Sequence, residues 1–430
     1  LTAATADALY QRALALYDLR RYAEAQTELH KVLAQDPNRA DAHAMLALAL
    51  LAREEAGGQP PARLDEALRE ARRAIGLRPD GELGYQALAM ACLAARKPDD
   101  ALRAAGELLR LDPQSPPGWL LTSAGWLQKR EWQKALQAAE GGLRLDPQSV
   151  GLLNNRSYAL IMLGRAQEAA QSSAAALALD PQSDSAHTNR GWLAILRADP
   201  AAALAHFREA LRLDPLNEAA RQGFLAALQS RNPLYRWLVR YSLWLSRFTR
   251  GEAMVVSYGL ASVSSLLGMA AQVFFPLYLL YLPWRALYAL FAFFSWISDA
   301  LFYLLLRFSR SGRLLLSKDE MAESSALAFC LIYFFANLGA LIATRQWGFL
   351  AGMALAFWMM VPAAAIFKFP QRAKARRAFL ALAVALLLVT GLCGQGLTFF
   401  AAPWALLPGV LFFLGVFSLP WVASLLLLFD

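Results

Sequence analysis

"LDPQS" occurs at Leu111–Ser115, Leu145–Ser149 and Leu179–Ser183, each copy 34 residues after the last. A phrase that recurs at a fixed period marks the same corner of a repeated structural unit. Asp-Pro is a helix stop, because proline has no N–H to donate and steers the preceding residue away from helical backbone. Pro113, Pro147, Pro181 and Pro215 all keep the 34-residue step, and an aspartate precedes each. One period earlier lies Pro79, in "GLRPDG". Pro37, in "AQDPN", comes 42 residues before that, because "REEAGGQP" (Arg53–Pro60) is inserted.

The rest of the period fits two helices per unit. Small residues fall where the helices of a hairpin would cross, at Ala25, Ala67, Ala101, Ala135, Ala169 and Ala203. Larger ones, Leu9, Tyr85, Trp119 and Leu153, fall on the packing face of the first helix. With these residues in register, the stretch of about 6–217 resembles the tetratricopeptide-repeat family, with six units and a capping helix over Glu218–Ser230. His43 and His187, at the position where the family carries tryptophan, and the insertion in the second unit depart from its pattern.

The resemblance implies a superhelix whose first helices line a concave groove that holds peptides or protein segments. On that pattern the groove residues are Tyr10, Leu14, Tyr17, Leu48, Gln86, Met90, Leu120, Leu127, Asn154, Tyr158, Met162, Thr188, Trp192 and Leu196. Members that grip a C-terminal carboxylate use a lysine and asparagines there. Only Asn154 matches, so the expected ligand is an apolar helix or extended apolar segment. Arg156 and Arg190, recurring in "NNRSY" and "TNRGW", are read as solvated or inter-repeat contacts.

Composition changes sharply after residue 230. "RNPLYRWLVRYSLWLSRFTRGE" (Arg231–Glu252) sets arginines among aromatic and aliphatic residues at helical spacing. Arg236, Trp237, Arg240 and Arg247 suit a helix lying in a membrane interface, with guanidinium groups at lipid phosphates. A soluble helix docked on the last repeat is the alternative. Beyond it six apolar stretches reach membrane length, at about 254–282, 284–306, 325–343, 347–367, 378–400 and 404–429. Turns are expected at "YLPWR", "TRQW" and "AAPW". The longer connections are basic, with Arg307, Arg310, Arg313 and Lys318 in one and Lys368, Arg372, Lys374, Arg376 and Arg377 in the other. The positive-inside rule then puts both termini and the repeats in the cytoplasm, at a bacterial inner membrane.

The net charge of +9 follows these boundaries and forms no separate patch, which argues against nucleic acid. Within the spans Asp299 is the only acid, and Asn337 is a candidate hydrogen-bond partner for it or for a neighbouring helix. All four histidines, His30, His43, His187 and His206, lie in the repeats, so no span carries a histidine metal site or a histidine-activated serine. Cys92, Cys330 and Cys393 are isolated. No cofactor and no catalysis are expected. The chain begins at Leu1 without a methionine, which leaves room for residues before it, and opens on a helical repeat, not on a signal-like apolar run.

These observations lead to an all-α chain: a solenoid over 1–230, an amphipathic linker over 231–252 and a six-helix transmembrane bundle over 253–430. The expected function is a membrane-anchored adaptor that binds protein partners, other membrane proteins among them, and contacts membrane lipids. Its oligomeric state is left open. The alternative is a transporter or channel subunit regulated by its repeats.

Overall fold

The computed structural model describes residues 2–57, 62–245, 247–248, 252, 263, 266–270, 274, 276–308, 316–346, 348–366, 378, 380–389 and 392. The chain divides into two compact units, Leu1–Thr249 and Arg250–Asp430. The stretch after the capping helix therefore belongs with the repeats.

The first unit is a stack of helical hairpins. They pair α1 (Thr2–Asp18) with α2 (Tyr22–Gln35), α3 (Ala40–Gly57) with α4 (Ala62–Leu77), and α5 (Glu82–Ala94) with α6 (Pro98–Leu111). The next three pair α7 (Pro116–Gln128) with α8 (Trp132–Leu145), α9 (Val150–Met162) with α10 (Ala166–Leu179), and α11 (Asp184–Leu196) with α12 (Pro200–Leu213). The capping helix α13 (Glu218–Gln229) and α14 (Pro233–Leu245) follow. Part of the insertion in the second unit lengthens α3, which runs through Arg53–Gly57.

The recurring corner works through its aspartate and serine. The backbone N–H of Asp112, Asp146 and Asp180 closes the last turn of the preceding helix, onto Leu108, Gly142 and Ala176 carbonyls at 2.9 Å. Their Oδ1 atoms accept the N–H two residues on, from Gln114, Gln148 and Gln182, at 2.9–3.1 Å. The chain is thus bent by an Asx turn built on a proline. Ser115 and Ser183 then cap the next helix, accepting from the N–H of Gly118 and Ala186 at 3.3 Å, whereas Ser149 makes no such bond.

The same corners explain the two histidines. Tyr85 Oη and Trp119 Nε1 each donate to the corner proline carbonyl six residues back, Pro79 and Pro113, at 3.1 Å. His43 Nε2 lies 2.9 Å from Pro37 O and His187 Nε2 lies 3.3 Å from Pro181 O. Histidine replaces the tryptophan because it keeps a ring nitrogen at the right reach. His43 is also fixed by Glu70 Oε2, 2.5 Å from its Nδ1.

Inside each hairpin, Ala25, Ala67, Ala101, Ala135, Ala169 and Ala203 are fully buried. A side chain larger than a methyl there would force the helices apart. The hairpin turns use a left-handed residue that ends the first helix. It is Arg20, Arg96, Arg130 and Ala198 in four units, with φ of 56–61°, and Gly164 in the fifth, with φ of 79°.

The second unit contains α15 (Pro276–Leu306), α16 (Lys318–Thr344), α17 (Gly348–Ala365) and helical residues 380–389. They share a core that includes Ile297, Ala300, Leu327, Leu355, Met359 and Leu380. Among the described residues α16 is the helix long and apolar enough to cross a membrane, with a mean hydropathy of 2.2 over its most apolar window. It begins in a reciprocal cap, with Ser317 Oγ accepting from Glu320 N and Glu320 Oε2 accepting from Ser317 N. It ends at Arg345, whose φ is 54°. At about 1.5 Å per residue its 27 residues extend roughly 40 Å.

One expected turn is absent. "YLPWR" lies inside α15, which continues through Pro283. A proline removes one backbone bond, a loss that long apolar helices tolerate. Here Arg285 Nη1 donates to Tyr281 Oη at 2.8 Å, bridging the turn that contains the proline. Most of the stretch 254–282, the end of 378–400 and all of 404–429 lie outside the described residues.

Candidate functional site

The first helices of successive hairpins pack on one another, α1 on α3 and so on through α11 on α13. Residues they turn to one side therefore share a face. The expected groove residues fall into two apolar groups on it. Tyr10, Leu14, Tyr17, Leu48 and Met90 belong to the core of the first three units. Leu127, Tyr158, Met162, Trp192 and Leu196, from the last three, share a second cluster with Trp126 and Trp132. Leu120, from the fourth unit, is half-buried close to Gly151 of the next first helix.

Burial ranks these residues in a way the repeat pattern alone does not. Tyr10, Leu48, Asn154, Met162 and Thr188 are buried, and the other nine are half-buried. Trp192 meets Phe207 edge to face at 5.4 Å, inside its own hairpin, and Tyr158 meets Trp132 in the same way at 6.1 Å. Burial pushes the Tyr158 hydroxyl above its ordinary pKa, against a smaller lowering from Arg130. The Tyr10 hydroxyl is raised by burial first and then by Asp41, with the Arg39 guanidinium 4.4 Å from the ring centre.

The polar residues of this face tie repeats together. Asn154 Nδ2 donates to Ser183 Oγ at 3.1 Å, and Asn189 Nδ2 donates to Asn154 O at 3.0 Å. Asn155 Nδ2 reaches Ser123 Oγ, one unit back, at 2.7 Å. Arg156 pairs with Glu140 of the preceding unit at 3.4 Å. The one asparagine that fitted a carboxylate clamp is thus engaged in repeat-to-repeat bonding.

The stretch expected as a membrane linker is docked on the repeats, as its alternative reading had it. One side of α14 is docked on the repeats: Tyr235, Leu238 and Val239 are each 8% exposed. Val239 and Leu243 join the cluster of Ala194, Ile195, Phe207 and Ala220. Beyond the helix, Arg247 O accepts from Trp132 Nε1 at 2.5 Å. The Arg247 guanidinium occupies the space above Gly164, where an added Cβ would lie 3.0 Å from Nη1. The chain therefore runs from the cap back across the hairpin turns of earlier units. A 13-residue helix covers about 20 Å, the right order for crossing two repeats. Of the four residues expected at an interface, Trp237 and Arg240 are exposed and Arg236 is half-buried with Nε donating to Ser230 O at 2.9 Å. Arg247 faces the solenoid.

In the second unit Asp299 is exposed on α15, and Asn337 is buried in α16 with Nδ2 donating to Tyr333 O at 2.9 Å. Arg307, at the end of α15, donates to Ser325 Oγ at 2.7 Å and Ser324 Oγ at 3.3 Å in the first turns of α16.

Comparison with known proteins agrees with the geometry. Tetratricopeptide-repeat models match residues 6–39 and, in overlapping windows, 86–150, 126–184 and 154–218. The solenoid is built of tetratricopeptide repeats. Such repeats are protein-interaction scaffolds. Similar solved structures include PilF of Pseudomonas aeruginosa, 19% identical, covering 54% of this chain and 99% of that one, with a TM-score of 0.41. A thermophilic tetratricopeptide-repeat protein of Thermus thermophilus is 22% identical over 43% of this chain and 98% of its own, at 0.38. YrrB, a tetratricopeptide-repeat protein described as having an unusual peptide-binding site, is 17% identical over 45% and 96%, at 0.32. No curated protein matches the chain.

The residue that sequence reasoning missed is Gly164. Its signal was present in the period: a turn position held by arginine or alanine elsewhere is glycine in one unit, where another part of the chain comes close.

Proposed function

We propose that this chain is a membrane-anchored adaptor whose tetratricopeptide solenoid binds an apolar protein segment, a helix or extended peptide, on its concave face. The observation that carries this reading is the run of half-buried apolar residues from Leu127 through Tyr158 to Leu196, contributed by three successive first helices. The amide nitrogens of Asn154 and Asn155 are engaged between repeats, so an apolar ligand fits better than a carboxylate.

Anchoring is supported by α16, whose Phe329, Ile332, Phe335 and Ile342 are each more than 60% exposed. In water a helix with that surface would aggregate; lipid is its natural solvent. The apolar stretches on either side, with the first connection moved from "YLPWR" to before Pro276, extend the reading to six spans in a bacterial inner membrane, with repeats and both termini cytoplasmic. Other membrane proteins and lipids are then its neighbours.

Two experiments test the two parts. Photo-crosslinkers at Leu127 and Tyr158 of the full chain in native membranes should capture one partner that crosslinkers at Gln114 and Gln148, on the corners, do not. Equal capture from the corners would remove the groove from recognition. Cysteines at Ser311 and Ala375 should label only from the cytoplasm and one at Gln346 only from outside; the reverse pattern would overturn the topology. A second reading, a transporter or channel subunit regulated by its repeats, rests on Asp299, exposed on an apolar helix. A cation or proton flux abolished by Asp299→Asn, with the fold intact, would move the assignment there.

A further inference from the structure

The side of α14 turned away from the repeats carries a continuous ladder of aromatic rings. Trp237 stacks on Tyr241 at 6.1 Å and 17°, Tyr241 lies 6.0 Å from Trp244, and Trp244 meets Phe248 edge to face at 4.9 Å. Trp237 is 55% exposed and Trp244 41%. Pro233, Arg236 and Arg240 line a shallow notch along the helix together with the rings of Trp237, Tyr241 and Trp244. The opposite side is held by the solenoid through Tyr235, Leu238 and Val239, so the helix cannot roll to bury its rings.

We infer that this outer face, with Arg236, Trp237, Arg240, Tyr241, Trp244 and Phe248, docks on the surface of an anionic lipid bilayer. The inference rests on the membrane-anchored reading above and adds a second contact to it, made by the repeat unit itself. Three observations select lipid as the occupant. Tryptophan and tyrosine are the residues that favour the headgroup boundary, where a ring can be half in hydrocarbon and its N–H or O–H in water. Arg236 and Arg240 stand beside the rings, and from Arg231 to Arg250 the chain has no aspartate or glutamate, which matches a layer of phosphates. The apolar stretch that starts at about 254 follows directly, so this segment stands next to the entry into hydrocarbon.

A second copy of the chain fits less well, because a two-fold contact through this face would gather Arg236 and Arg240 of both copies in one seam with no acid from either segment. The docked face also revises the simple picture of an amphipathic surface helix. The aliphatic side of α14 belongs to the protein, and the lipid receives the aromatic and cationic side. The solenoid would thereby be held by its hairpin-turn edge, at a fixed attitude to the bilayer.

The test uses the full chain with Cys92, Cys330 and Cys393 replaced and a nitroxide on Tyr241→Cys, reconstituted into phosphatidylcholine vesicles with and without phosphatidylglycerol. A control nitroxide on Gln148→Cys, an exposed corner residue, reports water. In vesicles with phosphatidylglycerol, position 241 should collide severalfold more with oxygen, relative to a water-soluble nickel chelate, than position 148. Adding Arg240→Gln alone should lower that ratio, and adding Trp237→Ala with Trp244→Ala should return it to the control value, with the chain still in the vesicles. A chain that fails to enter vesicles would overturn the anchored reading and this inference together. A chain that enters them while position 241 meets nickel as readily as position 148 would overturn the inference alone. Shielding of position 241 from both oxygen and nickel would also overturn it, in favour of a protein occupant.

Discussion

Replacing Gly164 by arginine tests how α14 is held on the repeats, and the chain carries its own control. Three equivalent turns already hold arginine in left-handed backbone, at φ of 59°, 56° and 60°. The backbone cost of a side chain there is about 1–2 kcal/mol. A stiffer unfolded chain offsets about 0.4–1 kcal/mol of it, which leaves the hairpin about 1 kcal/mol weaker or less. At position 164, unlike the other turns, the new side chain meets the Arg247 guanidinium, 3.0 Å from the added Cβ. Displacing Arg247 breaks the Trp132 bond to its carbonyl, worth about 1 kcal/mol net. That corresponds to a rise of roughly fivefold in the opening of α14. Hydrogen exchange across residues 233–245 of the full chain reads this directly. Trp132→Phe, which removes the donor together with part of a buried ring, should match or exceed it, and Gly164→Ala should stay near the parent because only the end of a flexible side chain must move. If both Gly164→Arg and Trp132→Phe leave exchange in that segment unchanged, α14 is not held by this end.

Three further outcomes follow from the repeats. Ser115→Ala should cost the fourth hairpin about 1 kcal/mol as its cap to Gly118 is lost, and Ser149→Ala, which has no such bond, should cost much less; thermal melts of the two variants compare them. Ala135→Leu, at a fully buried crossing, should destabilise by about 1–3 kcal/mol, whereas the same change at exposed Ala201 should be nearly neutral in denaturant unfolding. His206 has its pKa lowered by burial first, then by Arg190 and His187, whose Nδ1 lies 3.3 Å from its own. Unfolding releases it to its usual value of 6.5, so its contribution is complete above that pH and is lost as pH falls toward the folded value. His206→Gln should flatten the acid limb of a stability–pH curve, and an unchanged limb would remove this histidine from the account.

The repeat architecture was legible because its signals are periodic and each rests on a local constraint. The prolines stop helices, the alanines mark crossings, and both recur at one spacing. The candidate groove was legible only as a set of positions. Whether Met162 is buried or Leu127 half-exposed depends on what the neighbouring turns and α14 bring to them, and a helical period carries no such information. The docking of α14 joins Trp132 to Arg247 across 115 residues, a pairing without any local signature. "YLPWR" misled for the opposite reason: the local signal for a turn was strong, and the helix continued through it with the aid of a bond from Arg285 to Tyr281.

The bonds from Tyr85, Trp119, His43 and His187 to corner proline carbonyls have a consequence for how such chains are counted. The corner selects for reach and a polar hydrogen, and three chemically different side chains satisfy it. The unit of His43 departs twice from the pattern, in that residue and in the insertion that breaks the 34-residue step. That unit is nonetheless a full hairpin, closed by α3 and α4. A solenoid can therefore drift out of recognition one hairpin at a time and keep an unbroken stack. Gaps between matched repeats of a length near one period, or one period with an insertion, then mark hairpins to be counted.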